Sequence, residues 1–178
     1  YANNSATFSL PDGKVQVEQR TAYPFDGQVN LKVTPSRHGQ RFALRLRIPT
    51  WAREKFMPGG LYSFIHPPKQ KWTIKANGEP VTAKLEKGFA IIERAWSAGD
   101  TVQLDLPMPV QFSVCIDKVE AYRNRLAVTR GPLVYCAEEI DNGGPVQRLT
   151  IPKVPQSKEV KVTAINDGPL EGVKMIQL

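Results

Sequence analysis

Apolar residues return at every second position in one segment after another, and that period decides what the chain can become. Val15 and Val17 alternate with Lys14, Gln16 and Glu18, and Val29, Leu31 and Val33 with Asn30, Lys32 and Thr34. Trp72, Ile74 and Ala76 alternate with Lys71, Thr73 and Lys75, and Val102, Leu104 and Leu106 with Thr101, Gln103 and Asp105. Each run predicts a strand with one dry and one wet face. Between the runs stand Pro11-Asp12-Gly13, Asp26-Gly27, Asn77-Gly78, Lys87-Gly88 and Gly99-Asp100, which are turn signals. Strands roughly ten residues apart with such turns predict a sandwich or barrel and not a parallel α/β sheet; the expected fold class is all-β, an antiparallel β-sandwich of jelly-roll-like type.

Two segments break the rhythm. Residues 52–70 lack alternation and carry Pro58, Pro67 and Pro68, which forbid a long helix, so they read as an insertion loop between strands. Leu126 to Ala137 is almost continuously apolar apart from Gly131-Pro132, the pattern of a strand covered on both faces. The 178 residues suit one large domain or two small ones. The expected division is a β-sandwich domain over 1–118 and the start of a second β unit over 119–178. The apolar ending Met175-Ile176-Gln177-Leu178 implies further sequence in that second unit. The first residues lack the charged start and apolar stretch of a signal peptide, so the chain is either not exported or begins inside a longer protein.

Charge and metal ligands narrow the function classes. The net charge of +7 raises a nucleic-acid reading, so the placement of cations matters. The densest basic stretch, Arg37 to Arg47, places Phe42, Leu44, Leu46 and Ile48 on one strand face and Arg41, Arg45 and Arg47 on the other. Such a ridge is able to meet phosphates or an acidic glycan. The preferred reading is a solvated face, or one that docks on the carboxylates of a neighbouring domain. No RNA-binding signature or helix-turn-helix pattern accompanies it, and nucleic acid is not an expected partner. No run reaches the ~18 apolar residues of a membrane-spanning helix, so no membrane partner is expected either. Cys115, Cys136, His38 and His66 are far apart and lack metal-ligand spacing. The two cysteines lie in apolar runs and read as buried, inert thiols rather than a bridge.

Five segments together carry a resemblance: YPFDGQV (23–29), FALRLRIPTWA (42–52), KANGEPV (75–81), GFAIIERAWSAGDTVQLDLPM (88–108) and LAVTRGPLVYCAEEID (126–141). In this order the chain resembles the C-terminal β-sandwich region of the β-L-arabinofuranosidase-like proteins, glycoside hydrolase family 127. The resemblance implies a helical (α/α) barrel upstream, with a cysteine thiolate nucleophile, a glutamate acid/base and a zinc ion held by Cys and Glu. None of those motifs has a counterpart in these 178 residues, so no catalytic residue, metal or cofactor is assigned to this chain. The implied partners are the catalytic barrel of the same polypeptide, arabinose-containing or other plant glycans through the whole enzyme, and further copies in a homo-oligomer. A periplasmic or secreted setting follows from the same analogy.

Glu139 and Asp141 share a face if the segment is a strand, about 7 Å apart. Retaining glycosidases need about 5–5.5 Å and inverting ones about 6.5–9.5 Å, so this spacing alone assigns no role. The expected role is a non-catalytic accessory region supporting the barrel, with Arg41, Arg45 and Arg47 as docking candidates. A carbohydrate-binding module is the alternative, with Trp51, Tyr62, Phe64 and His66 as glycan-contact candidates, and a generic interaction sandwich is the third. Trp72 and Trp96 read as packing residues.

Overall fold

A computed structural model describes residues 1–53, 59–151, 153–166 and 173–177. In chain order its strands are β1 (Asn4–Leu10), β2 (Gly13–Thr21), β3 (Gln28–Pro35), β4 (Gln40–Arg47) and β5 (Tyr62–Phe64). There follow β6 (Thr73–Ala76), β7 (Glu79–Pro80), β8 (Lys84–Glu86), β9 (Phe89–Trp96) and β10 (Asp100–Asp105). The last are β11 (Val110–Cys115), β12 (Ala127–Arg130), β13 (Leu133–Tyr135), β14 (Lys161–Ala164) and β15 (Lys174–Gln177), with one short helix, α1 (Glu139–Asn142). Every strand pairing among the described residues is antiparallel, so the all-β expectation holds. Two compact units emerge: Tyr1–Arg53 with Gln70–Pro107, and Glu54–Lys69 with Met108–Leu178.

The first unit is a β-sandwich. Its six-stranded sheet runs β1-β2-β3-β10-β6-β7, and its three-stranded sheet runs β4-β9-β8. The dry positions of the alternating runs form one core: Val29, Leu31, Val33, Ile74, Val102 and Leu104 come from the larger sheet, and Leu46, Ala90, Ile92 and Trp96 from the smaller. Burying each large aliphatic side chain contributes about 1.5–3 kcal/mol, offset by the ordering of the chain. Trp96 is 0% exposed; its Nε1–H donates to the Phe42 carbonyl at 3.0 Å and its ring stacks on Phe42 at 5.8 Å. Trp72 is half-buried against the margin of this core.

Turn chemistry fixes the register. Asn77 and Gly78 take φ of +51° and +86°, and Lys87 and Gly88 take +48° and +84°. Two successive positive φ values give the type I′ geometry that matches strand twist in a two-residue hairpin. Gly27 acts differently. It is buried without a positive φ, and a Cβ there would lie 1.9 Å from the Leu106 carbonyl oxygen. The glycine permits close approach, and the Leu106 N–H donates to the Gly27 carbonyl at 3.0 Å.

The second unit holds a four-stranded sheet, β13-β12-β11-β5, and the hairpin β14-β15. Here several expectations are corrected. The segment 52–70 is not merely a loop, because β5 within it pairs with β11 in the second unit's sheet. Three residues are too short to write a period-two signature. The division between units falls at Pro107/Met108 rather than near residue 118, since β11 pairs with β5 and β12. The run Leu126 to Ala137 is not covered on both faces: only Thr129 in it is buried, and Val134 is 73% exposed. Glu139 and Asp141 lie on α1 rather than on a strand, so the spacing of a strand face does not apply.

Candidate docking face and glycan-contact residues

On β4 the alternation behaves as read: Leu46 and Ile48 are buried, Phe42 and Leu44 half-buried, and Arg41, Arg45 and Arg47 exposed. Pairing with β9 sets Arg41 opposite Ala95, Ala43 opposite Glu93, Arg45 opposite Ile91 and Arg47 opposite Phe89. Pairing with β8 adds Lys84 beside Ile91 and Glu86 beside Phe89. The outer face of the three-stranded sheet therefore carries four cations, Arg41, Arg45, Arg47 and Lys84, among apolar side chains and two glutamates, Glu86 and Glu93. Phe89 on it is 36% exposed and Ile91 half-buried.

The arginines differ in how they are held. Arg47 lies with its guanidinium carbon 5.2 Å from the Phe89 ring centroid and donates through Nη1 to the Lys87 carbonyl at 3.2 Å. Gly88 makes room for it, since a Cβ at Gly88 would meet Arg47 Nη1 at 2.1 Å. Arg41 approaches Glu93 at 3.4 Å, an exposed pair that contributes little to stability. The Lys84 ammonium, paired with Glu86, holds that carboxyl below its usual range, and Arg45 adds a weaker effect of the same sign. Arg45 thus has its charge directed outward with the least local commitment of the three.

The four glycan-contact candidates do not gather in one unit. Trp51 sits in a 3₁₀ turn, Thr50–Ala52, half-buried against the core of the first unit. Tyr62 and Phe64 lie on one face of β5 in the second unit, opposite Cys115 and Ser113, and His66 follows two residues later. All four are half-buried, so none forms a fully exposed stacking platform. Burial pushes the Tyr62 phenol above its ordinary pKa, and the Cys115 thiol and Tyr122 phenol push the same way.

Both cysteines are free, as expected; Cys115 is half-buried, whereas Cys136 is exposed rather than buried because the chain leaves the sheet after Tyr135. Among the described residues no three His, Cys, Asp or Glu side chains come together as a metal-ligand set, so the zinc implied by the resemblance does not fit them. The sequence reading also missed a depression of about 390 Å³ on the wet face of the six-stranded sheet, lined by Arg20, Asn30, Lys32, Lys75, Thr101 and Gln103 among others. Its signal was present in the polar half of the same alternations, which only the cross-strand register assembles into one patch.

A β-sandwich followed by a second antiparallel sheet unit defines this chain as an all-β, two-unit region. The chain belongs to glycoside hydrolase family 127: residues 1–108 match the β-L-arabinofuranosidase GH127 middle domain and residues 110–170 the GH127 C-terminal domain. It is 35% identical over 145 residues to the non-reducing end β-L-arabinofuranosidase of Bifidobacterium longum subsp. longum, covering 79% of this chain and 19% of that protein. A solved GH127 β-arabinofuranosidase superposes with a TM-score of 0.85 at 37% identity, over 99% of this chain and 27% of that one. The GH127 β-L-arabinofuranosidase of Geobacillus stearothermophilus T6 gives 0.77 at 32% identity, over 94% of this chain and 23% of that one. The chain thus spans between 19% and 27% of the length of these relatives.

Proposed function

We propose that these two units are the non-catalytic β-sandwich region of a β-L-arabinofuranosidase-like glycosidase and that they support a catalytic helical barrel in the same polypeptide. The observation that carries this reading is the outer face of β4, β9 and β8, where Arg41, Arg45 and Arg47 stand among Phe89, Ile91, Ala43 and Ala95, and Glu93 and Glu86 on the same face are paired with Arg41 and Lys84. Arginines able to meet carboxylates, set among exposed apolar side chains, have the composition of a domain interface rather than of a solvated sheet face. The occupant is drawn from the relatives, in which matched β domains account for about a quarter of the chain. In this reading, the substrates of the whole protein are arabinose-containing plant glycans, and the zinc and thiolate chemistry belongs to the barrel.

The test uses the full-length parent and the 178-residue chain side by side. Arg41→Glu with Arg45→Glu in the parent is expected to lower aryl β-L-arabinofuranoside hydrolysis and to speed proteolysis between barrel and sandwich. The same pair in the isolated chain is expected to leave its thermal unfolding unchanged. Unchanged activity and protease resistance in the parent would overturn the docking role. Hydrolysis by the isolated chain would overturn its non-catalytic character.

A further inference from the structure

The wet face of the six-stranded sheet carries a polar, charged pattern separate from the arginine-bearing face to which barrel support is assigned above. Register builds two adjacent rows of side chains across it. Glu18, Lys32 and Thr101 form one row, and Arg20, Asn30, Gln103 and Lys75 the other. These seven residues line the depression of about 390 Å³, with Gly78 adding no side chain at its margin. Within it, Glu18 and Arg20 neutralise each other at 2.7 Å. Lys32 and Lys75 have no ion-pair partner among the described residues. The depression therefore holds two uncompensated ammonium groups on strands two positions apart and in adjacent rows, with Cα atoms about 12 Å apart.

What lies between the ammonium groups narrows the ligand class. The Gln103 carboxamide sits in the row between Asn30 and Lys75, and no hydrogen bond engages its side chain within the described residues. Asn30 donates one weak bond to Gln28 at 3.4 Å, leaving its carbonyl oxygen and a second N–H. The Thr101 hydroxyl donates to Asn77 Oδ1 at 3.4 Å, leaving its lone pairs to accept. A carboxamide both donates and accepts, which suits ring hydroxyl groups, whereas a site for phosphate alone is served by donors. Two cations flanking amides and a hydroxyl fit a ligand with separated carboxylates and hydroxyls between them.

We infer that this face binds an acidic oligosaccharide, with Lys32 and Lys75 each pairing with a uronate carboxylate, Gln103 and Thr101 meeting the sugar hydroxyls between them, and Asn30 meeting a hydroxyl beside Lys32. The inference is independent of how the opposite, arginine-bearing face is used. Four of the five side chains are exposed and Gln103 is half-buried, and all lie on the face turned away from the core, so replacing them leaves the core intact.

The experiment is calorimetric titration of the 178-residue chain with tetragalacturonate, its methyl-esterified form and a single-stranded oligonucleotide of similar charge. Tetragalacturonate is expected to bind, and the ester to lose that binding. Lys32→Gln and Lys75→Gln are each expected to weaken tetragalacturonate by about tenfold, as for one charge-assisted hydrogen bond. Gln103→Leu is expected to weaken the saccharide but not the oligonucleotide. Equal binding of acid and ester would overturn the proposal, as would no response to the lysine variants. Oligonucleotide binding at least as tight as tetragalacturonate, with Gln103→Leu silent toward both, would reassign the face to general polyanion attraction and overturn it equally.

Discussion

The Asn77 side-chain amide donates to Asp100 Oδ1 at 2.9 Å while its carbonyl oxygen accepts the Thr101 backbone N–H at 2.8 Å, so one residue joins the β6–β7 turn to the start of β10. The Ser97 N–H donates to the other oxygen of Asp100 at 2.9 Å. The Ser97 amide is the main reason the Asp100 carboxyl is held below its usual range, with Asn77, Arg94 and His38 assisting against partial desolvation. A carboxyl whose folded pKa is depressed binds its proton more readily when unfolded. Its stabilisation is therefore complete above the ordinary value of 3.8 and is lost as pH falls through the lower folded value. Asp100→Ala is expected to cost about 1.5–3 kcal/mol at neutral pH, the scale of hydrogen bonds to a charged group. Urea unfolding repeated at progressively lower pH should find the gap to the parent chain closing below the ordinary aspartate range. A gap that stays constant into strong acid would disprove the assignment.

Gly27 and Gly78 form a matched pair for a second test. An alanine methyl at 27 meets the Leu106 carbonyl oxygen at 1.9 Å and its carbon at 2.8 Å, both backbone atoms of the adjoining segment. Neither moves without opening the Leu106–Gly27 hydrogen bond beside the core. At Gly78 the same methyl meets nothing within 4 Å, and only the positive φ of +86° resists it. Gly27→Ala is expected to destabilise by at least about 3 kcal/mol and Gly78→Ala by about 1 kcal/mol. Denaturant midpoints with unchanged m-values would check the order.

Much of the first unit was legible because its strands are long enough to write their period. Val29-Leu31-Val33 and Val102-Leu104-Leu106 announced both their buried faces and their type, and the paired turn residues at 77–78 and 87–88 announced two hairpins. Which strands pair was not legible. β3 lies beside β10, some seventy positions later in the chain, and local alternation holds no record of such a partner. The second unit was read less well for the same reason: β5 and β13 are three residues each, and β5 is lent by an insertion in the first unit's sequence. The aromatic candidates fall in both units, because the short stretch of sequence between Trp51 and Tyr62 spans the exchange between them. That Arg41, Arg45 and Arg47 share an exposed face was legible, since they sit on one long strand, while the patch around Gln103 draws on four strands and had no sequence-local form.

Trp96 offers a third test. Its indole fills the core between the two sheets and its N–H satisfies the Phe42 carbonyl, so size and hydrogen bonding are separable by substitution. Trp96→Ala removes both and is expected to cost about 3–5 kcal/mol. Trp96→Phe keeps most of the ring volume but leaves the bond unmade, and is expected to cost about 1–3 kcal/mol. Equal losses for the two would mean that the hydrogen bond, not the packing, dominates. Chemical denaturation followed by far-ultraviolet dichroism measures both without relying on the indole signal.

The neighbours Arg45 and Arg47 distinguish residues that serve this fold from residues that serve something beyond it. Arg47 is tied locally by its position over Phe89 and its bond to the Lys87 carbonyl. A cation–π contact at an exposed site contributes about 0.5–1 kcal/mol, so Arg47→Ala should measurably destabilise the isolated chain. Arg45 exerts the weakest of the influences on Glu86, and Arg45→Ala should change the same stability by less than about 0.5 kcal/mol. In the full-length parent the order should reverse in its effect on barrel docking, because an arginine uncommitted within its own sheet is free to meet a carboxylate of another domain. Thermal unfolding of the isolated chain and limited proteolysis of the parent measure the two quantities separately. If neither variant changed the proteolysis of the parent, the ridge would be merely a solvated face.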